Sequence, residues 1–352
     1  MSNKPKICVI SKSFGQYCKQ ALEILKSFSE VEIKSVKEQK EIIDIVKNFD
    51  GIVVGNEKIN REIINHAVRL KIIARHGVGI DNIDIEAATE KGIIVTYTPQ
   101  ANSDSVAEYT IALILNIMRM IPKLHNITVN GGWNRILGYE LMGKTVGIIG
   151  FGGIGKRVAK KLRGFDVKIL VYDPYVSEED VRRFDAIPVK LDELLKTADI
   201  VTLHVSLTPE TKHLINRDKL KLMKNTAYLI NTSRGAVVDE KALYEALKEK
   251  WIAGAALDVF EEEPINPKNP LLTLENVIVT PHNANFTLEA LQRTDLMNAE
   301  DLKRFFEGQK PIYVANPKVY IKGSLTPLCG HRAYLRRGDI GYKKSKGRYS
   351  QY

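Results

Sequence analysis

Short, nearly continuous apolar runs alternate with helix-length stretches along most of the chain, and that alternation constrains the fold more than any other feature. Five runs occupy 6–11, 31–36, 51–55, 71–76 and 92–97, with helix-like stretches at 16–28, 40–48, 60–68 and 84–91 between them. A strand buried on both faces reads as an unbroken apolar run, and helices between such strands cover the two faces of a parallel sheet. A second series covers 145–150, 167–173, 199–205, 227–232, 253–260 and 276–281. The pattern predicts two doubly wound α/β units with parallel sheets. Two long helices join them. One spans 103–121, opening near Ser103 and Glu108 and stopped by Pro122, and the other spans 286–308, ended by Gly308. Two such connections imply that the chain leaves its first unit and later returns to it.

Bulk properties narrow the class. The 352 residues are 44% hydrophobic and 27% charged, an ordinary balance for soluble globular domains. Residues 318–352 carry nine Lys or Arg and one acid, Asp339, so this tail holds +8 of the formal +10 charge. A nearly neutral body argues against a nucleic-acid surface there, and the tail is expected to be disordered. Cys8, Cys18 and Cys329 have neither disulfide nor metal-ligand spacing, so no metal is expected. The apolar stretch 110–118 is too short to span a bilayer and no signal peptide is apparent, giving an expectation of a cytoplasmic protein without membrane partners.

The segment 145–174, TVGIIGFGGIGKRVAKKLRGFDVKILVYDP, carries the first chemistry. Gly150, Gly152 and Gly155 form G-x-G-x-x-G directly between a strand and a helix. The first permits the tight turn, the second lets backbone approach a pyrophosphate, and the third allows close helix–strand packing. Asp173 ends the next strand, 18 residues past Gly155, where a carboxylate suits the ribose hydroxyls of NAD and repels a 2′-phosphate. The cofactor expected is therefore NAD.

Ligands of open α/β sheets lie beyond the carboxyl ends of strands. Three late runs end in NTSRG (231–235), LDVFEEEP (257–264) and TPHNAN (280–285), supplying Arg234, Glu263 and His282. Reduction of a 2-oxo acid needs a guanidinium to clamp its carboxylate, an acid titrating near neutrality, and a carboxylate to orient that acid. By residue type alone Glu261 or Glu262 would serve as well as Glu263. Asp258 is a further candidate acid, or a partner for the nicotinamide carboxamide.

Six ordered motifs, RHGVGIDNID (75–84), SVAEYT (105–110), GFGGIG (150–155), INTSRGAVVDE (230–240), ALDVFEEEP (256–264) and TPHNAN (280–285), make the chain similar to the D-isomer-specific 2-hydroxyacid dehydrogenase family from about residue 6 to 317. The resemblance implies that Arg234, Glu263 and His282 are catalytic. It implies NAD contacts at Gly153 and Ile154 in the glycine turn, Asp173, Val205, Thr232, Ser233, Arg234, Asp258, His282 and Asn285, with Val78 adjoining. Gly77, Val78 and Gly79 would hold the substrate carboxylate through backbone N–H groups.

It also implies a fold of two Rossmann-like domains, the nucleotide domain inserted into a flavodoxin-like substrate domain. The expected division is residues 1–100 and a return helix at 286–317 for the substrate domain, 101–285 for the NAD domain, and 318–352 for the tail. Within the family, the nearest pattern is that of members acting on 3-phosphoglycerate and 3-phosphohydroxypyruvate in serine biosynthesis, in a short form without a regulatory domain. Arg75 and Arg135 match basic residues that bind the phosphate there, Arg135 reaching across a homodimer. A further family arginine is missing, because Val54 and Gly55 stand in its place. Glyoxylate or hydroxypyruvate reduction, or a D-lactate-type activity, are the alternatives. From other classes come an NAD-sensing corepressor-like protein, whose basic tail would touch nucleic acid, and an NAD-binding protein without turnover.

Overall fold

The structure is a computed structural model that describes residues 4–321. Its first unit comprises β1 (Lys6–Val9), α1 (Lys19–Phe28), β2 (Glu30–Ile33), α2 (Gln39–Asn48), β3 (Gly51–Val54), α3 (Arg61–Asn65), β4 (Ile72–Arg75), α4 (Ile85–Glu90) and β5 (Ile94–Thr96). All pairings are parallel, in the order β2-β1-β3-β4-β5. That is the flavodoxin-like winding. Alternate residues of these short apolar strands feed two separate cores: Cys8, Ile52 and Ile73 on one face, and Ile7, Val53 and Ile72 on the other.

Helices α5 (Ser103–Arg119) and α6 (Ile121–Val129) lead into the second unit. It contains β6 (Thr145–Ile149), α7 (Gly153–Leu162), β7 (Lys168–Tyr172), α8 (Glu178–Arg182), β8 (Ile187–Pro188), α9 (Leu191–Thr197) and β9 (Ile200–Leu203). There follow α10 (Arg217–Leu222), β10 (Tyr228–Asn231), α11 (Glu240–Lys248), β11 (Gly254–Leu257), β12 (Val277–Val279) and α12 (Leu288–Phe306). The seven strands are parallel in the order β12-β11-β10-β9-β6-β7-β8. Counted from β6, this is the Rossmann order with one strand added, and its direction of winding reverses between β6 and β9. The two α/β domains are therefore both parallel and doubly wound. No described helix is long and apolar enough to cross a membrane.

After β12 the chain goes back to the first sheet. Helix α12 packs on α1 and β4, Ala299 and Leu302 join the first unit's core, and Val314 pairs with Thr96 in an antiparallel bridge. Thr287 caps α12 by accepting from Ala290 N, and Gly308 leaves it at φ +79°. Glycine enters this left-handed region without a Cβ penalty.

Two local expectations need correction, and one strand adds to those expected. Pro122 does not stop the helix that begins at Ser103. The chain turns at Met120 (φ +54°), and Pro122 lies in the first turn of α6, where its missing N–H costs no intrahelical bond. The two-residue strand β8 has no apolar run to announce it. The first residues of the stretch expected to be disordered from 318 are ordered, since Pro317–Tyr320 form a 3-10 turn with Val319 fully buried. The remainder of that tail lies outside the described residues.

Candidate active site

The glycine turn sits where the winding reverses. Gly150 follows β6 at φ +91°, and a Cβ there would lie 2.6 Å from the carbonyl oxygen of His204 and 2.9 Å from Val205. Gly155 packs so closely that a Cβ would collide with the Gly150 carbonyl. Around Gly152 there is open space, no side chain caps α7, and no acid occupies its first turn. The free N–H groups and positive end of α7 therefore face a gap suited to a pyrophosphate. Asp173 stands at the end of β7, its Oδ2 accepting from Phe151 N (2.7 Å) and its Oδ1 from Tyr175 N (2.8 Å). The residues at hand fit a dinucleotide whose ribose reaches that carboxylate.

A cavity of about 480 Å³ runs from this turn to the first domain. It collects Ile154, Val205, Thr232, Ser233, Arg234, Asp258, His282 and Asn285 from the second unit, and Arg75, Gly77, Val78 and Gly79 from the first. The parallel sheet explains the convergence, since β10, β11 and β12 all present their carboxyl ends to the same edge.

Each of the three turns is fastened locally. Asn231 accepts from the N–H and hydroxyl of Ser233 and donates to the Arg234 carbonyl, folding NTSRG into a fixed corner. Thr232 exchanges a hydrogen bond with Thr110 of α5 (3.0 Å). Asp258 is fully buried and accepts from Thr280 Oγ1 (2.6 Å), Asn283 N (2.8 Å) and Ala284 N (2.8 Å). This carboxylate thus shapes the loop carrying His282, which itself adopts φ +52°.

His282 Nδ1 lies 2.7 Å from Glu263 Oε2, while Glu263 Oε1 accepts from Phe260 N (3.0 Å). Of the three consecutive glutamates it is Glu263 that meets the imidazole. Glu261 instead faces His213 and the start of α11. Burial pushes the Glu263 carboxyl up, but His282, the Phe260 amide and the charge of Arg234 outweigh it and hold the group below its ordinary range. With Nδ1 engaged, Nε2 is the ring nitrogen left for a ligand.

Arg234 is gripped by Asp81 of the first domain, through Nη2–Oδ1 at 2.9 Å and Nε–Oδ1 at 3.0 Å, and it donates from Nη1 to the Ser233 carbonyl. Burial raises the Asp81 pKa, and the Arg234 hydrogen bonds and charge more than reverse this, so the net shift is downward. Gly79 lies against the guanidinium, and any Cβ there would collide with Nη2. The Gly77–Gly79 loop and the arginine are therefore one packed unit across the two domains.

Arg75 lines this cavity but is spent on structure. It is buried and donates to Gly79 O (2.8 Å), His76 O (2.6 Å) and Asn56 Oδ1 (3.0 Å). Burial, followed by the nearby Arg234, lowers its pKa to about 10. These bonds make Arg75 a brace for the 76–79 loop. Arg135 is exposed in the segment after α6 and lines none of the cavities around His282, so a single chain does not bring it to the site.

Sequence reasoning missed Asp81, although it stands inside the quoted motif 75–84. It also missed His204, whose buried Nδ1 has no partner and whose pKa burial pushes down to about 3, leaving a neutral ring beside the cofactor turn. A third omission is the buried pair His76–Asp295 (2.6 Å), whose members lie 219 residues apart.

Comparison with known proteins agrees with this geometry. Residues 111–284 match the family model for the D-isomer specific 2-hydroxyacid dehydrogenase, NAD binding domain. The D-3-phosphoglycerate dehydrogenase of Methanocaldococcus jannaschii is 47% identical over 84% of this chain, which spans only 57% of that relative's length. The glyoxylate reductase of Thermofilum pendens is 47% identical over 73% of this chain and 78% of its own length. Among solved structures, D-lactate dehydrogenase from Aquifex aeolicus, complexed with NAD and lactic acid, superposes with a TM-score of 0.80 at 34% identity, covering 88% of this chain and 99% of that one. A flavodoxin-like sheet, a Rossmann sheet and a nucleotide turn facing an Arg, a Glu–His pair and a glycine-rich loop thus coincide with sequence identity across most of the length, and the chain belongs to the D-isomer specific 2-hydroxyacid dehydrogenase family.

Proposed function

We propose that the protein is an NAD-dependent dehydrogenase that interconverts a D-2-hydroxy acid and its 2-oxo acid, with 3-phosphoglycerate and 3-phosphohydroxypyruvate as the leading pair. The observation that carries the reading is the His282–Glu263 pair at 2.7 Å, with His282 in the same cavity as Arg234 and the Gly77–Gly79 loop. In the reductive direction, the cofactor supplies a hydride to C2 when bound. Arg234 and the loop amides hold the substrate carboxylate, and the guanidinium draws charge toward the carbonyl oxygen. His282 gives that oxygen a proton from Nε2, and Glu263 fixes the ring and compensates its charge. The buried faces of Asp258 and Asn231 keep all three groups in register.

Asp173, whose carboxylate would repel a 2′-phosphate, supports NAD over NADP. A cleft of about 920 Å³ adjoining His282 leaves room for a phosphorylated three-carbon substrate. Gly55, where the family arginine is missing, favours the second reading, a glyoxylate or hydroxypyruvate reductase. We also take the protein to be a homodimer. Helix α6 has no buried residue, and Trp133 (87% exposed) and Leu137 (85%) extend its apolar face, as a surface covered by a second copy would.

Initial rates with NADH and NADPH across 3-phosphohydroxypyruvate, hydroxypyruvate, glyoxylate and pyruvate test the proposal. We expect NADH oxidation that is fastest, per unit kcat/KM, with the phosphorylated substrate and that is lost in His282→Ala. Undiminished turnover in that variant would refute the proton-donor role, and glyoxylate as the best substrate would favour the second reading.

A further inference from the structure

The cleft beside His282 has a second wall, made by the segment after β1. Lys12, Ser13 and Gln16 line it together with Glu263 and His282. A chain of buried hydrogen bonds fixes that segment from beneath. Ser11 Oγ meets His76 Nδ1 at 2.8 Å, His76 Nε2 meets Asp295 Oδ1 at 2.6 Å, and Asp295 Oδ2 accepts from Gly15 N at 2.9 Å. Phe14 packs edge-on against the His76 ring, with centroids 5.5 Å apart. Residues 11 and 15 are thus both pinned by one His–Asp pair joining β4 to α12, and Gly15 makes the turn at φ +73°. The arrangement could suggest a Ser–His–Asp nucleophile. Ser11 is only 4% exposed and its amide donates to Val53 O, so the relay serves as scaffold instead.

The cations of the cleft then divide by what they already hold. Arg234 is paired with Asp81, and Arg75 is spent on its own loop. Arg135 lies elsewhere in this chain, and Gly55 offers no charge. Lys12 is exposed, and among the described residues it makes no salt bridge. Glu57, the nearest-lying acid of the lining in sequence, has one oxygen engaged by Gly55 N (2.6 Å).

We propose that the 11–16 segment is a distal substrate subsite, in which Lys12 pairs with a phosphate carried on C3 of the 2-oxo acid while Ser13 and Gln16 offer neutral donors. Lys12 is here a specificity-determining residue. It lines the same cleft as Gly55, where the family cation is missing, and the His76–Asp295 relay fixes the chain on either side of it. With the backbone already fixed, binding has only the lysine side chain itself left to order. The inference rests on the dehydrogenase reading for its reaction and on the cleft for its site.

Two measurements separate these. Steady-state kinetics compare 3-phosphohydroxypyruvate with hydroxypyruvate, which differs only by the phosphate, in wild type, Lys12→Met and Lys12→Glu. The expected result is a KM for the phosphorylated substrate raised about tenfold or more in Lys12→Met, the size of a lost charge-assisted contact, and further in Lys12→Glu. The KM for hydroxypyruvate and kcat for both substrates should stay within about twofold. Thermal melts with 3-phosphoglycerate read the subsite without turnover, and the ligand-induced rise in Tm at a fixed ligand concentration should shrink in Lys12→Met. An unchanged KM, equal changes for both substrates, or full retention of the Tm rise would overturn the assignment. So would Arg135→Ala alone abolishing the discrimination, which would give the phosphate to the second copy. A wild type that shows the Lys12-dependent Tm rise but reduces no 2-oxo acid would sink the dehydrogenase reading and leave the subsite standing.

Discussion

Substituting Asp81 by Asn isolates what the first domain contributes to the arginine of the second. The two side chains are 26% and 37% exposed, so the pair is neither fully screened nor fully buried. Charge-assisted hydrogen bonds are worth about 1.5–3 kcal/mol when shielded, and exposed pairs about 0–1 kcal/mol. Asn keeps one acceptor and removes the charge, so a loss of about 1–1.5 kcal/mol is the consistent middle value. If that energy holds the guanidinium in its working orientation, the correctly placed fraction falls roughly five- to tenfold, since 1.4 kcal/mol is a factor of ten. In the proposed mechanism Arg234 grips the substrate carboxylate in the ground state as well as the transition state, and the defect should therefore enter KM more than kcat. The assay is kcat/KM for the best 2-oxo acid, alongside NADH affinity from fluorescence quenching and Tm from circular dichroism. NADH affinity should be unchanged and Tm should move by a few degrees at most. A kcat/KM within twofold of wild type, or above it, would refute the reasoning. The second outcome would mean that Asp81 restrains Arg234 by occupying its donors rather than by aiming it.

Gly150→Ala should destabilise the protein by about 2–4 kcal/mol, combining a positive φ with a Cβ pressed against the His204 carbonyl. It should weaken NADH binding at least about tenfold, read from urea midpoints and fluorescence titration, and unchanged values would remove the close-approach argument. Asp81 and Glu263 are both held below the ordinary carboxylate range. Their contribution is therefore complete above the unfolded carboxylate pKa near 4 and is lost as pH falls through their lower folded values. Urea midpoints between pH 6 and pH 3 should fall less steeply in Asp81→Asn and Glu263→Gln than in wild type, and parallel curves would contradict the shifts.

Much of the fold was written in local pattern. Unbroken apolar runs separated by helices can satisfy their backbone and bury both faces only in parallel sheets, and the glycines at 150 and 155 are needed wherever a strand turns that tightly into a helix. The residues of NTSRG, LDVFEEEP and TPHNAN were legible for the same reason, since parallel strands deliver all their carboxyl ends to one edge. Resemblance to the family then singled out Glu263 among three glutamates, and the structure brings that residue alone to His282. Pattern failed where one position served two structures, as at Pro122, which opens a helix as readily as it closes one.

What sequence could not supply were the partnerships between segments far apart in the chain, within the first domain and across the two. Asp81 and Arg234 are separated by 153 residues, and His76 and Asp295 by 219, so no period or spacing links them. Arg75 has the composition of an anion-binding residue, yet its three hydrogen bonds turn it inward to brace a loop. Covalent geometry and hydrophobic periodicity act over a few residues and therefore determine strands, turns and the glycine motif from the chain alone. That Lys12 and His282 line one cleft depends on packing between distant segments, and only the folded chain decides it.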